Sequence, residues 1–291
     1  MKSLIEWRRE IQKGTESMEI SLETLLLAAS SGVLGTLIGG MEAFIIYGFV
    51  IIVQTILVSA GHDMAFYTTY LSNLVFLPAV MFSAAVPATA YAARKYDIHE
   101  WEIDRSLAFA HDPVIAMIGA FTGVIGYLLF AFAANMNLPL DHGGFSVVIV
   151  GTLSRLIFRK PQKINRNARI VLRDGKRWLW ELITTSVVAV ATAWFVQATG
   201  ISTAGFMLSA ALLILQLFPR TQFFPTTHQI TMVAGLAVLA SGSIPIAVLF
   251  ALLAQLIFIL FGGYLNMGCG AHIDPPAVAI VTCSLLISLI F

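Results

Sequence analysis

Charged residues are scarce in this sequence. Only 11% of its 291 residues are Asp, Glu, Lys or Arg, against roughly 25% in an ordinary soluble domain. Hydrophobic residues make up 58% of the chain. Apolar runs near the length of about 20 residues that crosses a bilayer recur from Leu22 to Phe291. The composition therefore excludes an ordinary soluble protein and predicts a polytopic helical membrane protein.

Cysteine is scarce as well. The two cysteines, Cys269 and Cys283, lie in glycine-rich or apolar stretches, which gives no basis for a disulfide framework. We therefore expect both thiols to be reduced and buried.

Several catalytic signatures are missing. The sequence has no phosphate-binding glycine loop with its lysine, no HExxH zinc-peptidase motif and no nucleophile elbow. Its most basic stretch, residues 159–177, lacks the aromatic residues and the surrounding domain that would support nucleic-acid binding. A transporter is therefore favoured over an enzyme, no nucleic-acid partner is expected, and the sequence identifies no cofactor or metal.

The apolar segments divide the chain into four parts. We predict an amphipathic interfacial segment at 1–20, a first membrane half at 21–158, a basic cytoplasmic loop at 159–177 and a second membrane half at 178–291. The predicted fold is all-α, a polytopic transmembrane helical bundle of about ten hydrophobic segments, some of them broken or re-entrant. For residues 3–13, the alternative to a surface helix is a disordered tail.

Glycine and proline mark interruptions in the first half. Residues 22–60 are apolar for too long to form one span, so we predict two spans with a turn near Gly39 and Gly40. Residues 64–93 contain Pro78 and Pro87 and form either one long kinked span or two half-length segments.

Positive charge is concentrated in one loop. Nine of the residues from Arg155 to Arg177 are basic, and only Asp174 is acidic. Cytoplasmic loops carry such an excess, so we predict a multi-pass protein of the plasma (cytoplasmic) membrane with this loop inside. The same charges suit contact with anionic lipid head groups.

The topology contains a conflict. The N-terminus is also basic, and if it too is cytoplasmic, an even number of crossings must separate it from the basic loop. A simple count of apolar runs gives five. Either residues 64–93 cross twice, or the short piece at 145–158 is re-entrant. If that piece does cross the membrane, it is tilted or is extended toward residue 138. We favour a broken or re-entrant segment.

Ionisable pairs recur at the interruptions. Five of the six histidines lie at breaks between apolar runs, and four of these have an aspartate within two residues. An aspartate in a low-dielectric setting is costly unless it is paired, protonated or bound to a cation, and histidine titrates near neutrality. The alternative is that these residues cap helix ends at the water boundary. The candidate solute- or ion-binding residues are His62, Asp63, His111, Asp112, Asp141, His142, His228, His272 and Asp274.

Two stretches of the chain resemble each other. His111 matches His228, and the Asp141-His142 break matches the break from His272 to Asp274. The interval between the two anchors is longer in the second stretch, so the match requires an insertion. One explanation is that the two halves arose by duplication, as in many transporters. The alternative is that any two apolar helices rich in small residues align passably without a common origin.

The preferred function is that of an integral membrane permease for a small polar or ionic solute. We expect Asp112 and Asp274 at the starts of half-helices near the midplane, with His111 and His272 as proton-linked partners. Three alternatives stay open: a channel-like pore for a neutral solute, a membrane-embedded metal enzyme, and a membrane subunit of a larger complex docked through the basic loop. The expected partners are the solute and the lipid bilayer, and an oligomer is compatible with the sequence.

Overall fold

The computed structural model describes residues 18–159, 174–266 and 269–291, and within these ranges all regular structure is helical. The predicted all-α class is therefore confirmed. Most of the predicted interfacial segment 1–20 and of the basic loop 159–177 lies outside the described residues. The α-helices are α1 Leu22–Ile38, α2 Gly40–Ser59, α3 Met81–Ala92, α4 Pro113–Asn135, α5 His142–Ile157, α6 Gly175–Thr199, α7 Ala204–Leu212, α8 His228–Ser241, α9 Ile244–Phe261 and α10 Pro275–Ile290.

Four of the helices, α2, α4, α6 and α9, are long and apolar enough to cross a membrane. Large apolar side chains point outward from them, and Phe121, Trp194 and Leu249 are each more than half exposed. Apolar surface of this extent marks contact with a membrane or a partner. The helices therefore suggest a membrane protein, as the composition predicts.

The predicted turn between the first two helices is confirmed. Helix α1 ends at Ile38 and α2 begins at Gly40. Gly39 between them has φ +114°, a conformation that favours glycine because it has no Cβ. The N–H of Gly40 donates a 2.6 Å hydrogen bond to the carbonyl of Ile103, which fixes the turn against the loop before α4.

Residues 64–93 form two pieces rather than one continuous helix. A π-helix runs over Tyr67–Val75, and α3 runs over Met81–Ala92. Pro78 lies in the gap, where its missing N–H costs no helical hydrogen bond. Pro87, by contrast, lies inside α3, which is buried along almost its whole length. The second half has a similar break, because ten residues with two prolines separate the 3-10 segment Leu213–Leu217 from α8.

Helices α1 and α4 make the closest packing in the first half. A Cβ on Gly32 would overlap the carbonyl oxygen of Gly119, so the two backbones touch directly, as small residues allow in membrane helix pairs. Gly119 faces Thr36, whereas Gly123, further along α4, faces Ala28, which precedes Thr36 in α1. The two helices are therefore antiparallel.

Both cysteines are free and buried, as predicted. Cys283 belongs to the largest apolar core cluster, which the second half builds from alanine-rich faces of α6, α8, α9 and α10. Alanine at these faces lets the helices approach closely, so the second half packs around its own centre.

Candidate solute-binding cavity

A cavity of about 460 Å³ lies inside the bundle where α5, α8 and α10 begin. Its volume is in the range of small-molecule sites in proteins. Aromatic rings from α2, α3, α4, α7 and α9 supply much of the wall, namely Phe44, Phe82, Phe130, Phe206 and Phe258. The polar lining residues are Tyr47, Asn73, Asp141, Thr203, Gln216, Thr226, His228, His272 and Asp274.

Asp141 is the N-cap of α5 and one of two carboxylates in the cavity wall. Its Oδ1 accepts a 2.6 Å hydrogen bond from the N–H of Gly144, and its own N–H donates to Oγ of Ser284 in α10 at 2.8 Å. Because Asp141 caps the helix, α5 begins at His142 rather than at Phe145, and the short predicted piece is extended by three residues. No hydrogen bond to Oδ2 of Asp141 is found among the described residues.

Asp274 is the N-cap of α10 and the second carboxylate. Its Oδ2 accepts a 2.9 Å hydrogen bond from the N–H of Ala277. Pro275 and Pro276 follow, and both suit a helix start because they carry no N–H. The other oxygen, Oδ1, lies 3.4 Å from Nε2 of His272.

The two carboxylates lie at opposite ends of an antiparallel helix pair. Asp141 contacts Ser284, whereas Gly151, three turns further along α5, lies against Ile273 at the start of α10. Ser284 is ten residues beyond Asp274, which is about 15 Å along a helix. The cavity is therefore elongated along the α5–α10 seam, with one carboxylate toward each end.

His272 is oriented by a buried amide. Oδ1 of Asn266 accepts hydrogen bonds from the Arg155 guanidinium at 2.7 Å and from the N–H of Ile273 at 2.8 Å. Both contacts are donors, so the remaining amide atom, Nδ2, is the donor to Nδ1 of His272 at 3.0 Å. The proton of the ring is therefore on Nε2, which faces Asp274.

His228 occupies the first position of α8 and is almost completely enclosed. Its ring is 4.8 Å from the ring of Phe44 and 6.3 Å from that of Phe206. His228 is only 6% exposed, and its Nδ1 has no hydrogen-bond partner within the described ranges. A buried polar atom without a partner is unusual in a folded protein and calls for an explanation.

His111 and Asp112 lie away from the cavity. His111 is exposed and has φ +46°. Asp112 caps α4 through the N–H of Val114 and receives a 2.8 Å hydrogen bond from Nζ of Lys95. This bond is the main reason why the pKa of Asp112 falls below its ordinary value. Helix α4 has 23 residues, so Asp112 begins a full-length helix rather than the expected half-helix.

The other three predicted residues also lie outside the cavity lining. His62 and Asp63 are exposed after the end of α2, where Asp63 accepts a hydrogen bond from the N–H of Ala65. The Nε2 of His142 contacts the carbonyl of Leu138 at 3.1 Å. Of the nine candidates, the cavity thus brings together Asp141, His228, His272 and Asp274.

Comparison with known protein families gives one match, to a family of unknown function, DUF7973, over residues 14–164. The match covers just over half of the chain. The chain belongs to this family. Comparisons with curated proteins and with solved structures gave no match. The DUF7973 match spans α1 to α5 and includes Asp141, whereas His228, His272 and Asp274 lie beyond it.

The site residues that the sequence analysis missed are Asn266, the aromatic wall and the uncharged polar lining residues Tyr47, Asn73, Thr203, Gln216 and Thr226. Asn266 is a single amide at the end of the apolar run that forms α9, next to the glycine-rich break, and this position was a usable signal. The aromatic rings carried no comparable signal because phenylalanine is common throughout an apolar chain. Across residues 18–159, 174–266 and 269–291, no group of three or more His, Cys, Asp or Glu is arranged to hold a metal ion.

Proposed function

We propose that this protein is a multi-pass permease of the cytoplasmic membrane and that its small polar or ionic solute binds in the cavity. The observation that carries the proposal is a cavity inside an apolar helical bundle, with two carboxylates and two imidazoles in its wall. Ionisable groups inside a bundle of membrane helices are costly and mark solute or ion pathways in membrane proteins. Broken helices of the kind found at α3 and α8 form the central sites of many transporters.

An internal duplication is supported by the packing of the helices. In the first half, α3 packs against α1, α2, α4 and α5, and α4 packs against α1 and α5. In the second half, α8 packs against α6, α7, α9 and α10, and α9 packs against α6 and α10. This recurrence pairs α3 with α8 and α4 with α9. It differs from the sequence alignment, which paired the start of α4 with that of α8.

The contacts between the halves favour an inverted repeat. Asp141 lies against Ser284, and Ile273, next to Asp274, lies against Gly151. Ser284 is ten residues after Asp274, and Gly151 is ten residues after Asp141. The two contacts are therefore reciprocal. Reciprocal contacts of this kind arise when two copies are related by a two-fold axis. In transporters with inverted repeats, one half rocks against the other around a site at their interface.

The same packing bears on the topology. Because α1 and α4 are antiparallel, the broken segment between α2 and α4 is best counted as one crossing. Five crossings then precede the basic loop. In this topology the N-terminal segment and the basic loop lie on opposite sides of the membrane. We assign the cytoplasmic side to the basic loop at 159–177, which carries the larger excess of positive charge.

The proposal is tested by ligand screening followed by flux. Full-length protein is screened by thermal shift against ions, small acids, amines and amino acids, since a bound ligand raises apparent stability. Each hit is then measured for uptake into proteoliposomes. We expect uptake of a hit, its loss in Asp274→Asn, and its retention in Asp174→Asn, which alters an N-cap aspartate outside the cavity. If no hit enters faster than in protein-free liposomes, the permease proposal fails.

A further inference from the structure

The start of α8 presents hydrogen-bond donors that have no acceptor. The backbone N–H groups of His228, Gln229 and Ile230 lack a partner among the described residues, and the N-cap residue Thr227 supplies no side-chain bond. All three residues are buried. A buried helix start without partners is rare, and it favours an anionic group because its N–H groups and dipole point at the ligand. The unpartnered ring of His228 stands at the same place.

Asp274 presents an acceptor that is only weakly engaged. Its Oδ2 is used by the cap of α10, and Oδ1 has the long 3.4 Å contact with Nε2 of His272. The amide of Asn266 fixes the ring proton of His272 on that nitrogen, so the contact supplies one hydrogen bond. No lysine or arginine is found among the described residues that line the cavity. The carboxylate therefore lacks a cationic partner in the wall.

The donor and the acceptor regions line the same cavity, whose wall is otherwise mostly apolar. A chain of rings connects them: the ring of Phe44 lies 4.8 Å from that of His228 and 6.4 Å from that of Phe82, which is itself 6.4 Å from the ring of His272 beside Asp274. The rings of Phe44 and Phe206, 5.7 Å apart, pack around His228 and form the neighbouring wall. Aromatic faces suit both an apolar body and an adjacent ammonium group.

We propose that the cavity binds a small zwitterion of the amino-acid type with an apolar body. Its carboxylate accepts hydrogen bonds from the start of α8, its ammonium group pairs with Asp274, and its apolar part lies against Phe44 and Phe206. This inference rests on the proposed function for its choice of the cavity as the solute site. It names the class of solute that would be transported.

The test uses four compounds that share one ring. The zwitterion is 1-aminocyclohexanecarboxylate. Cyclohexylammonium carries only the positive charge, cyclohexanecarboxylate carries only the negative charge, and cyclohexanol carries no charge. Their binding to full-length protein in lipid nanodiscs is measured by isothermal titration calorimetry. A charge-assisted hydrogen bond corresponds to about ten- to hundredfold in affinity. We therefore expect the zwitterion to bind at least about tenfold more tightly than each of the others.

A variant separates the two charged contacts. Asn is also a good N-cap, so Asp274→Asn removes the charge and keeps the cap of α10. In this variant the zwitterion should lose its advantage over cyclohexanecarboxylate and keep its advantage over cyclohexylammonium. Asp174→Asn should leave all four affinities unchanged. If Asp274→Asn does not fold, the order of the four affinities in the wild-type protein alone tests the inference.

Each outcome has one meaning. Equal or tighter binding of the cation, the anion or the alcohol in the wild-type protein overturns the inference, as does an unchanged preference in Asp274→Asn. If the zwitterion binds but does not enter proteoliposomes, the permease proposal fails and the zwitterion site stands. If another class of solute enters proteoliposomes and the zwitterion does not bind, the permease proposal stands and the inference fails.

Discussion

The backbone N–H of Asp141 donates a 2.8 Å hydrogen bond to Oγ of Ser284, which fixes the first turn of α5 against the third turn of α10. Ser284 is buried, so Ser284→Ala leaves the N–H of Asp141 without its partner at about 1–3 kcal/mol. We expect thermal unfolding in detergent at a lower temperature than for the wild type. Ser30→Ala is the matched control, because Ser30 bonds only within its own helix. Equal melting temperatures for the two variants would argue against the role of this bond.

The contact between α1 and α4 depends on Gly32. In Gly32→Ala the new Cβ would overlap the carbonyl of Gly119, and neither backbone can yield locally. The helices must separate, which typically costs about 1–3 kcal/mol. Gly175→Ala is the control, since nothing lies within 4 Å of a Cβ built there. A loss of stability confined to Gly32→Ala, measured by thermal unfolding, is the expected result, and similar unfolding of both variants would contradict it.

The breaks between the apolar runs were predictable from sequence, but which of them line the cavity was not. Asp112-Pro113 and Asp274-Pro275 have the same local signature, and both aspartates cap helices as predicted. Only packing separates them, because Asp112 pairs with Lys95 outside the cavity whereas Asp274 lines it. Their different settings depend on which helices pack together, and no residue near either aspartate encodes that.

The position of His228 in the cavity wall was also not predictable from the sequence. The sequence placed His228 at a break, but its neighbours in the structure, Phe44 and Phe206, come from α2 and α7. These contacts join residues that are far apart in the chain. Hydrophobic runs predict that such helices exist, but they do not predict which faces meet.

The ion pair between Lys95 and Asp112 gives a pH-dependent contribution to stability. The hydrogen bond from Lys95 lowers the pKa of Asp112, and the same bond raises the pKa of Lys95. The contribution is therefore complete between about pH 4 and about pH 10, and it is lost as the pH falls through the folded-state pKa of Asp112. At pH 6 the melting temperature of the wild-type protein should be higher than that of Lys95→Gln. The difference between the two melting temperatures should become smaller toward pH 3. A difference that does not change with pH would contradict this.

The amide of Asn266 sets the tautomer of His272. In Asn266→Asp the donor to Nδ1 becomes an acceptor, so Nδ1 must carry a proton to keep the contact. Nitrogen NMR of protein labelled in histidine distinguishes the two ring nitrogens, and His272→Gln identifies the signal. We expect an unprotonated Nδ1 in the wild type and a protonated one in Asn266→Asp. An Nδ1 that is protonated already in the wild type would overturn the assignment.

In the topology proposed above, five crossings precede the basic loop, so Glu19 and Gly175 would lie on opposite sides of the membrane. Both positions are exposed, one before α1 and the other at the start of α6. In Glu19→Cys and Gly175→Cys, a membrane-impermeant maleimide should label only one of the two in sealed right-side-out vesicles, and the other should react after the membrane is opened. The native Cys269 and Cys283 are buried, so the wild-type protein serves as the unlabelled control. Labelling of both variants from the same side would mean an even number of crossings and would remove the inverted repeat.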